Sequence, residues 1–402
     1  MRVLAIPYTH TLSHLSRPLA VAHELRKLGH TVIFAGESRN TSLITKEEFE
    51  VVPCYEPDPA ELYGNIRAGK LRFVSEETVL KMIEEDLSVI QKTKPDLVLT
   101  DGRFSAMIST HAAKVRHAAI VNVSSTEYRA LPYIPFFDWL PLPRDNRWWQ
   151  ILDSMNLKLE MLLFDSVMNV FEKTSRRFGV TNSATATNCL TGKDITLLAD
   201  IPEYFPTRNL PDSYHYVGPI TWKANLPPPP WWVPHELSRP LLYITMGSTG
   251  TPELFHALNN LLEQMPGTAI FTTGSQEAAI RTIPGKVYVE SLMDGDLVMD
   301  HADVVICHGG NGTIYQALSH GKPVIGIPTI PDQRFNMRRV EALGVGKLLE
   351  LDELTQNTKL LSEVTTNLLA DSSYTANADR LRRVLDKYDS AKTCADILSR
   401  NT

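Results

Sequence analysis

Apolar positions in the first third of the chain follow two rhythms. Residues 3–6, 32–35, 96–100 and 118–123 are short runs dominated by Val, Ile, Leu and Ala, and residues 49–52 form another. Between them, residues 14–28 place Leu15, Leu19, Ala22 and Leu25 at helical spacing, and residues 76–92 form a second amphipathic stretch. Short unbroken apolar runs alternating with amphipathic helices predict a parallel sheet with helices on both faces. The rhythm breaks over residues 124–180. There "YRALPYIPFFDWLPLPRDNRWW" is followed by one helical stretch, 151–178, which predicts an insertion at the ligand edge of the sheet. A second alternating series runs through 241–246, 269–272, 287–289, 304–306 and 324–327. Between the series stand four consecutive prolines, 227–230, which can continue neither a central strand nor a helix and act as a semi-rigid spacer. A closing helix is expected over about 375–400, anchored by Leu381, Val384, Leu385 and Ile397.

Length supports this division, since 402 residues exceed one small core. Residues 1–220 form the expected N-terminal domain, 221–240 the linker and 241–380 the C-terminal domain. Two doubly wound domains with one linker create a cleft, with ligands expected at the carboxyl ends of the strands. A net charge of −6 leaves no basic footprint, so nucleic acid is not an expected partner. Cys54, Cys189, Cys307 and Cys394 are scattered without a CxxC pair, which argues against a metal cluster or disulfide framework and fits a cytoplasmic protein. The apolar run at 3–6 stops at Pro7 and reads as a buried strand, too short for a signal peptide or membrane span.

Candidate chemistry concentrates in "CHGGNGTIYQALSHGKP", residues 307–323. A strand running into a glycine turn and then a helix offers unpaired N–H groups and the positive end of the dipole to an anion. Gly309, Gly310 and Gly312 permit close backbone approach, while His308 and Thr313 add side-chain donors. Alone, the glycines favour an ordinary tight turn, and they match neither GxGxxG nor the P-loop. Downstream, "GKPVIGIPTIPDQRFN" brings Asp332, Gln333 and Asn336 to a strand's carboxyl end, a donor and acceptor set suited to vicinal hydroxyls; Asp332 is also a candidate helix cap. A further loop, "YITMGSTGTPE", places Gly247 and Ser248 as a second anion nest.

Together these residues resemble the donor signature of the GT-B, family 1 glycosyltransferases: H-G-G-x-G-T, a helix, G-x-P, then P-x-x-x-D-Q and N. The resemblance implies two Rossmann-like domains facing a cleft. It implies that Gly247, Ser248, His308 and the turn Gly310, Asn311, Gly312 and Thr313 hold a nucleotide diphosphate, and that Asp332 and Gln333 read the sugar. Gln316 stands where many members have a ribose-binding Glu. The base-stacking Trp of the plant enzymes is absent, as in bacterial relatives. The resemblance also implies that residues 381–402 cross back to the N-terminal domain.

"SHLSRPLAVAHELRKLGHTVIF", residues 13–34, resembles the family's G-H-x-x-P…G-H-x-V pattern and puts His14 at its catalytic histidine, with Ser13 for the glycine and the proline displaced to Pro18. A histidine in the first turn of a helix is held neutral by the dipole and suits a general base, although an exposed capping histidine fits the position too. His10 is the nearby decoy. Asp101, closing "PDLVLTDGRF", is the candidate orienter of His14, or a cap for a helix from about Phe104. "DGD" at 294–296 resembles a metal-binding DxD but precedes a helical run, so capping is expected and no metal.

The combined reading is an inverting, metal-independent glycosyltransferase. It moves a sugar, glucose by default, from a UDP- or dTDP-linked donor to a hydroxyl of a hydrophobic small molecule of natural-product type. Residues 128–149 either line the acceptor pocket or pack the insertion. No cofactor beyond the nucleotide sugar is expected. A weak homodimer, and a peripheral membrane location for a lipid-like acceptor, are further options. A UDP-sugar 2-epimerase and a non-catalytic nucleotide-sugar-binding protein are the rival readings.

Overall fold

The β-branched runs become strands and the amphipathic stretches cover them. The computed structural model describes residues 1–137, 148–181, 184–221, 226–247, 251–274 and 280–400. The chain forms two units, Met1–Trp222 with Tyr388–Thr402, and Lys223–Lys387.

The first unit holds strands β1 (Arg2–Pro7), β2 (Thr31–Ala35), β3 (Glu50–Val52), β4 (Leu97–Asp101), β5 (Arg116–Val121), β6 (Ile195–Leu198) and β7 (Tyr214–Tyr216). They form a parallel sheet in the order β3-β2-β1-β4-β5-β6-β7. Its helices are α1 (Leu12–Lys27), α2 (Thr41–Lys46), α3 (Pro59–Arg67), α4 (Glu76–Thr93), α5 (Ala106–Ala112), α6 (Trp148–Val167) and α7 (Val170–Arg177).

The second unit holds β8 (Leu241–Thr245), β9 (Thr268–Thr272), β10 (Val287–Glu290), β11 (Val304–Cys307), β12 (Val324–Gly326) and β13 (Gly346–Leu348), again parallel, in the order β10-β9-β8-β11-β12-β13. Helices α8 (Pro252–Leu261), α9 (Gly295–His301), α10 (Asn311–Ser319), α11 (Pro331–Ala342), α12 (Leu351–Gln356), α13 (Leu360–Ala370) and α14 (Ser372–Leu385) accompany it. The expected linker is not a bare spacer throughout. Trp231 stacks on Tyr288 with ring centroids 4.3 Å apart, and its indole N–H donates to Glu290 at 2.7 Å.

The last helix, α15 (Ser390–Arg400), belongs to the first unit. Cys394, Ala395 and Leu398 enter the same buried cluster as Leu15, Leu19 and Leu25 of α1 and Val3 and Ala5 of β1. The single closing helix expected over 375–400 is therefore two helices. Their break follows from packing: the Tyr388 ring lies over Gly218, where a Cβ would sit 2.6 Å from it. The 151–178 helix likewise divides into α6 and α7. Strands β6, β7 and β13 went unread; β7 and β13 lie at sheet edges with only partial burial.

Candidate active site

In each sheet the connection order reverses beside the first strand, between β1 and β4 and between β8 and β11. Such a switch point leaves a crevice at the strands' carboxyl ends, where loops diverge and backbone groups stay available. Both groups of candidate residues lie at these two points.

In the first unit, Pro7 ends β1 in register with Asp101 at the end of β4. His14 stands in the first turn of α1, and its Nδ1 lies 2.6 Å from Asp101 Oδ1. A carboxylate only accepts, so Nδ1 carries the hydrogen, and in the neutral ring the lone pair is on Nε2. The Asp101 side chain is fully buried, while that of His14 is 30% exposed, so the imidazole is reachable and its partner is not. Gly102 permits this approach: its φ is +73°, and a Cβ there would lie 3.1 Å from the His14 ring. Asp101 is not a helix cap, because α5 starts at Ala106 with Ser105 at its N-cap position.

Arg17, one turn beyond His14, grips the same carboxylate with both arms. Its Nη2 donates to Asp101 Oδ1 at 2.6 Å and its Nε to Oδ2 at 2.7 Å. Nη1 donates to Asn122 Oδ1 at 2.8 Å, just past β5. This planar bidentate pairing suits guanidinium, and it compensates a carboxylate that is otherwise costly to bury. Sequence reading missed Arg17. Its signal was the i,i+3 spacing from His14, which puts both on one helix face. Tyr8 presents its ring edge-on to His14 at 6.5 Å and donates its hydroxyl to the Pro57 carbonyl at 3.1 Å. Burial, reinforced by Tyr63 and the acids Glu56 and Asp58, pushes its phenol pKa up and keeps it protonated. His10 packs near Tyr8 rather than joining the Asp101 pair.

In the second unit, β11 delivers His308 to the sheet edge. Its imidazole is enclosed by backbone, because a Cβ on Gly247 would lie 2.7 Å from the ring and one on Gly310 2.5 Å. Burial pushes its pKa down to about 4, against an opposing hydrogen bond with the Thr245 backbone, so the ring is neutral near pH 7. Gly309 turns the chain at φ +86°, and Gly310 is the N-cap of α10 with no side chain capping it. The first-turn amides of Asn311, Gly312 and Thr313 therefore have no partner within the helix. Asn311 Oδ1 is buried with no hydrogen-bond partner among the described residues.

Helix α11 completes this edge. Gln333 is buried and its Oε1 accepts from the Thr329 amide at 2.8 Å. Asn336 Nδ2 donates to the Gly309 carbonyl at 3.0 Å, which pins the glycine turn, and to Asp332 Oδ2 at 3.3 Å. Asp332 is not the cap of α11: Ile330 holds that position and no side chain caps the helix. Gln316 does not stand alone, since its Nε2 donates to Asp296 Oδ1 at 2.8 Å. Asp296 also approaches His320 Nε2 at 3.2 Å, and these acids raise the His320 pKa, Asp296 before Asp300. Asp294 caps α9 through the amides of Asp296 and Leu297. Ser248 lies outside the described residues.

Paired parallel α/β units with candidate chemistry at both switch points are the GT-B fold, and sequence comparison supplies the family. The chain belongs to the family 1 glycosyltransferases. It is 31% identical over 386 residues to the "PGL/p-HBAD biosynthesis rhamnosyltransferase" of Mycobacterium tuberculosis, spanning 94% of this chain and 83% of that protein. It is 31% identical over 388 residues to a "PGL/p-HBAD biosynthesis glycosyltransferase" of the same species, 94% and 87% of the two chains. Residues 261–394 match the erythromycin biosynthesis protein CIII-like C-terminal domain. Among solved structures, the spinosyn rhamnosyltransferase SpnG complexed with thymidine diphosphate aligns with a TM-score of 0.71 at 18% identity, covering 99% of this chain and all of that one, at 100%. The glycosyltransferase of kitacinnamycin aligns at 0.72 and 18%, covering 99% and 98%.

Proposed function

We propose that this glycosyltransferase moves rhamnose from a deoxythymidine diphosphate donor to a hydroxyl of a hydrophobic acceptor, with inversion at the sugar carbon. The His14–Asp101 contact carries this reading, because it fixes the imidazole tautomer with Nε2 free to take a proton. In the proposed step the acceptor hydroxyl gives its proton to Nε2 while its oxygen bonds to sugar C1. The bond from C1 to the diphosphate oxygen breaks, and its electron pair leaves with the nucleotide. Asp101 stabilises the imidazolium as it forms. The amides opening α10, with Thr313, Gly247, Ser248 and the neutral His308, receive the charge of the leaving diphosphate, and Asp332 and Gln333 hold the sugar. No metal ion takes part.

Rhamnose replaces the default glucose because relatives and neighbours carry that activity in their names. Deoxythymidine fits the neutral Gln316, already paired with Asp296, in the place of an acid that would bind two ribose hydroxyls. The test is a panel of nucleotide sugars, scored by thermal shift and then by transfer in EDTA. Preference for a UDP-glucose donor would overturn the donor assignment, and loss of transfer in EDTA would overturn metal independence. A non-catalytic reading has one supporting observation: an "Inactive PGL/p-HBAD biosynthesis glycosyltransferase" of Mycobacterium bovis is 30% identical over 269 residues. Turnover that collapses in His14→Ala, with nucleotide binding intact, would rule it out.

A further inference from the structure

Helix α6 buries Trp149 and Leu157 on its packed side yet carries a second apolar face in solvent. At about 100° per residue, Trp148, Ile151, Met155, Leu159, Leu162 and Leu163 fall within a sector of about 120°, and all six are exposed, Leu162 at 70% and Leu159 at 58%. Two carboxylates of the helix lie outside that sector and are held by neighbouring segments. Glu160 is buried, accepting from Arg129 Nη2 at 2.5 Å and from the Ile134 amide at 2.9 Å. Asp165 accepts from the amide and hydroxyl of Thr187 at 2.9 and 3.0 Å. A surface helix normally turns polar side chains to solvent, and an exposed apolar patch of this kind marks an interaction surface.

Cations border the stripe at both ends. Lys158 and Arg208, with Ile151, Ser154 and Met155, line a cavity of about 670 Å3. At the far end, Arg72 Nε donates to the Val167 carbonyl that closes α6, at 3.0 Å, and exposed Lys70 and Leu71 precede it. The chain as a whole carries −6, so this local gathering of Lys and Arg around leucines runs against its overall charge. No helix among the described residues is long and apolar enough to cross a membrane. An apolar face flanked by cations instead matches a helix lying in the plane of a bilayer interface, leucines among the acyl chains and cations at anionic headgroups.

We propose that the exposed face of α6 docks the protein on an anionic lipid surface. The test is flotation with vesicles of phosphatidylcholine alone or with about 30% phosphatidylglycerol, supplying the anionic surface charge. Wild-type protein is expected to float with the anionic vesicles and about tenfold less with the neutral ones. Leu159→Ser with Leu162→Ser should weaken flotation about tenfold or more, since two apolar side chains leave the interface. Lys70→Glu with Lys158→Glu should weaken it on anionic vesicles only. Both double variants change exposed side chains, so calorimetric nucleotide binding should match wild type. Absence of wild-type flotation, or flotation indifferent to the leucine substitutions, would overturn the proposal. So would a solution dimer that the leucine variant turns into a monomer, because a second copy would then cover the face. Flotation uses neither donor nor acceptor, so its failure would leave the transfer reading untouched.

Discussion

The two switch points hold the same place in similar sheets but are built from different material. In the second unit the site is mostly backbone: a glycine turn, open helix amides, and an imidazole walled by Gly247 and Gly310. In the first unit it is side chains, with His14 and Arg17 of α1 converging on Asp101 and Asn122 holding the far arm of Arg17. A backbone site holds a fixed anion and gains from rigidity. A side-chain site can change its protonation state, which general base catalysis needs. Substitutions should therefore fail differently in the two places.

The sharpest break is His14→Ala. Transfer should fall about 10²- to 10⁴-fold, while nucleotide affinity by calorimetry stays at the wild-type value. Arg17→Met comes next. It leaves Asp101 buried beside one neutralisable partner, so the first unit should lose about 3–5 kcal/mol by urea unfolding. Arg17→Lys should recover part of that and less of the activity, because ammonium cannot reproduce the fork. In the second unit, Gly310→Ala forces a Cβ to within 2.5 Å of the His308 ring. Donor affinity should drop by about 1–3 kcal/mol, the ordinary cost of overpacking, with little change in the first unit's stability.

Acid should act on both units through one buried histidine each. His117 is pushed down to about 3, by burial and then by Lys193 and His111, and His308 to about 4. The unfolded chain protonates both near pH 6.5 and the folded chain does not. Below pH 6.5 the unfolded state thus binds more protons, and stability falls with pH by about 1.4 kcal/mol per unit for each histidine. The loss should level off near pH 4 for the second unit and near pH 3 for the first. Urea midpoints at pH 7 and 5 that coincide would contradict this. The smallest effect belongs to Gln316→Ala, which removes one partly exposed hydrogen bond to Asp296. Donor affinity should weaken by about 0.5–1.5 kcal/mol, less than for Gly310→Ala.

The same contrast explains what the amino-acid sequence disclosed. Apart from Gly247 the backbone site is local, so Gly309, Gly310, Gly312, Asp332 and Gln333 could be read within thirty residues or so of chain. Asp101 and Arg17 are 84 positions apart, and Asn122 lies 105 beyond Arg17. Periodicity registers no pairing over that distance, so Arg17 looked like an ordinary helix residue. The α14–α15 break was hidden for a related reason. No glycine or proline marks residues 386–389, and the bend depends on Tyr388 meeting Gly218. Helix α6 was legible as a helix, but its polarity was not, since which face is packed depends on Arg129 and Thr187 arriving from elsewhere.

The return of α15 to the first unit also bears on how the molecule is made. Residues that fill the core beside β1 and α1 leave the ribosome only after the whole second unit has done so. The N-terminal half must therefore wait, its α1 surface bare, while some 165 residues of the other unit are translated. A stop codon just before Ser390 would spare every site residue yet remove Cys394, Ala395 and Leu398 from that core. Its damage would appear at the opposite end of the sequence, as an N-terminal unit open to proteases and chaperones.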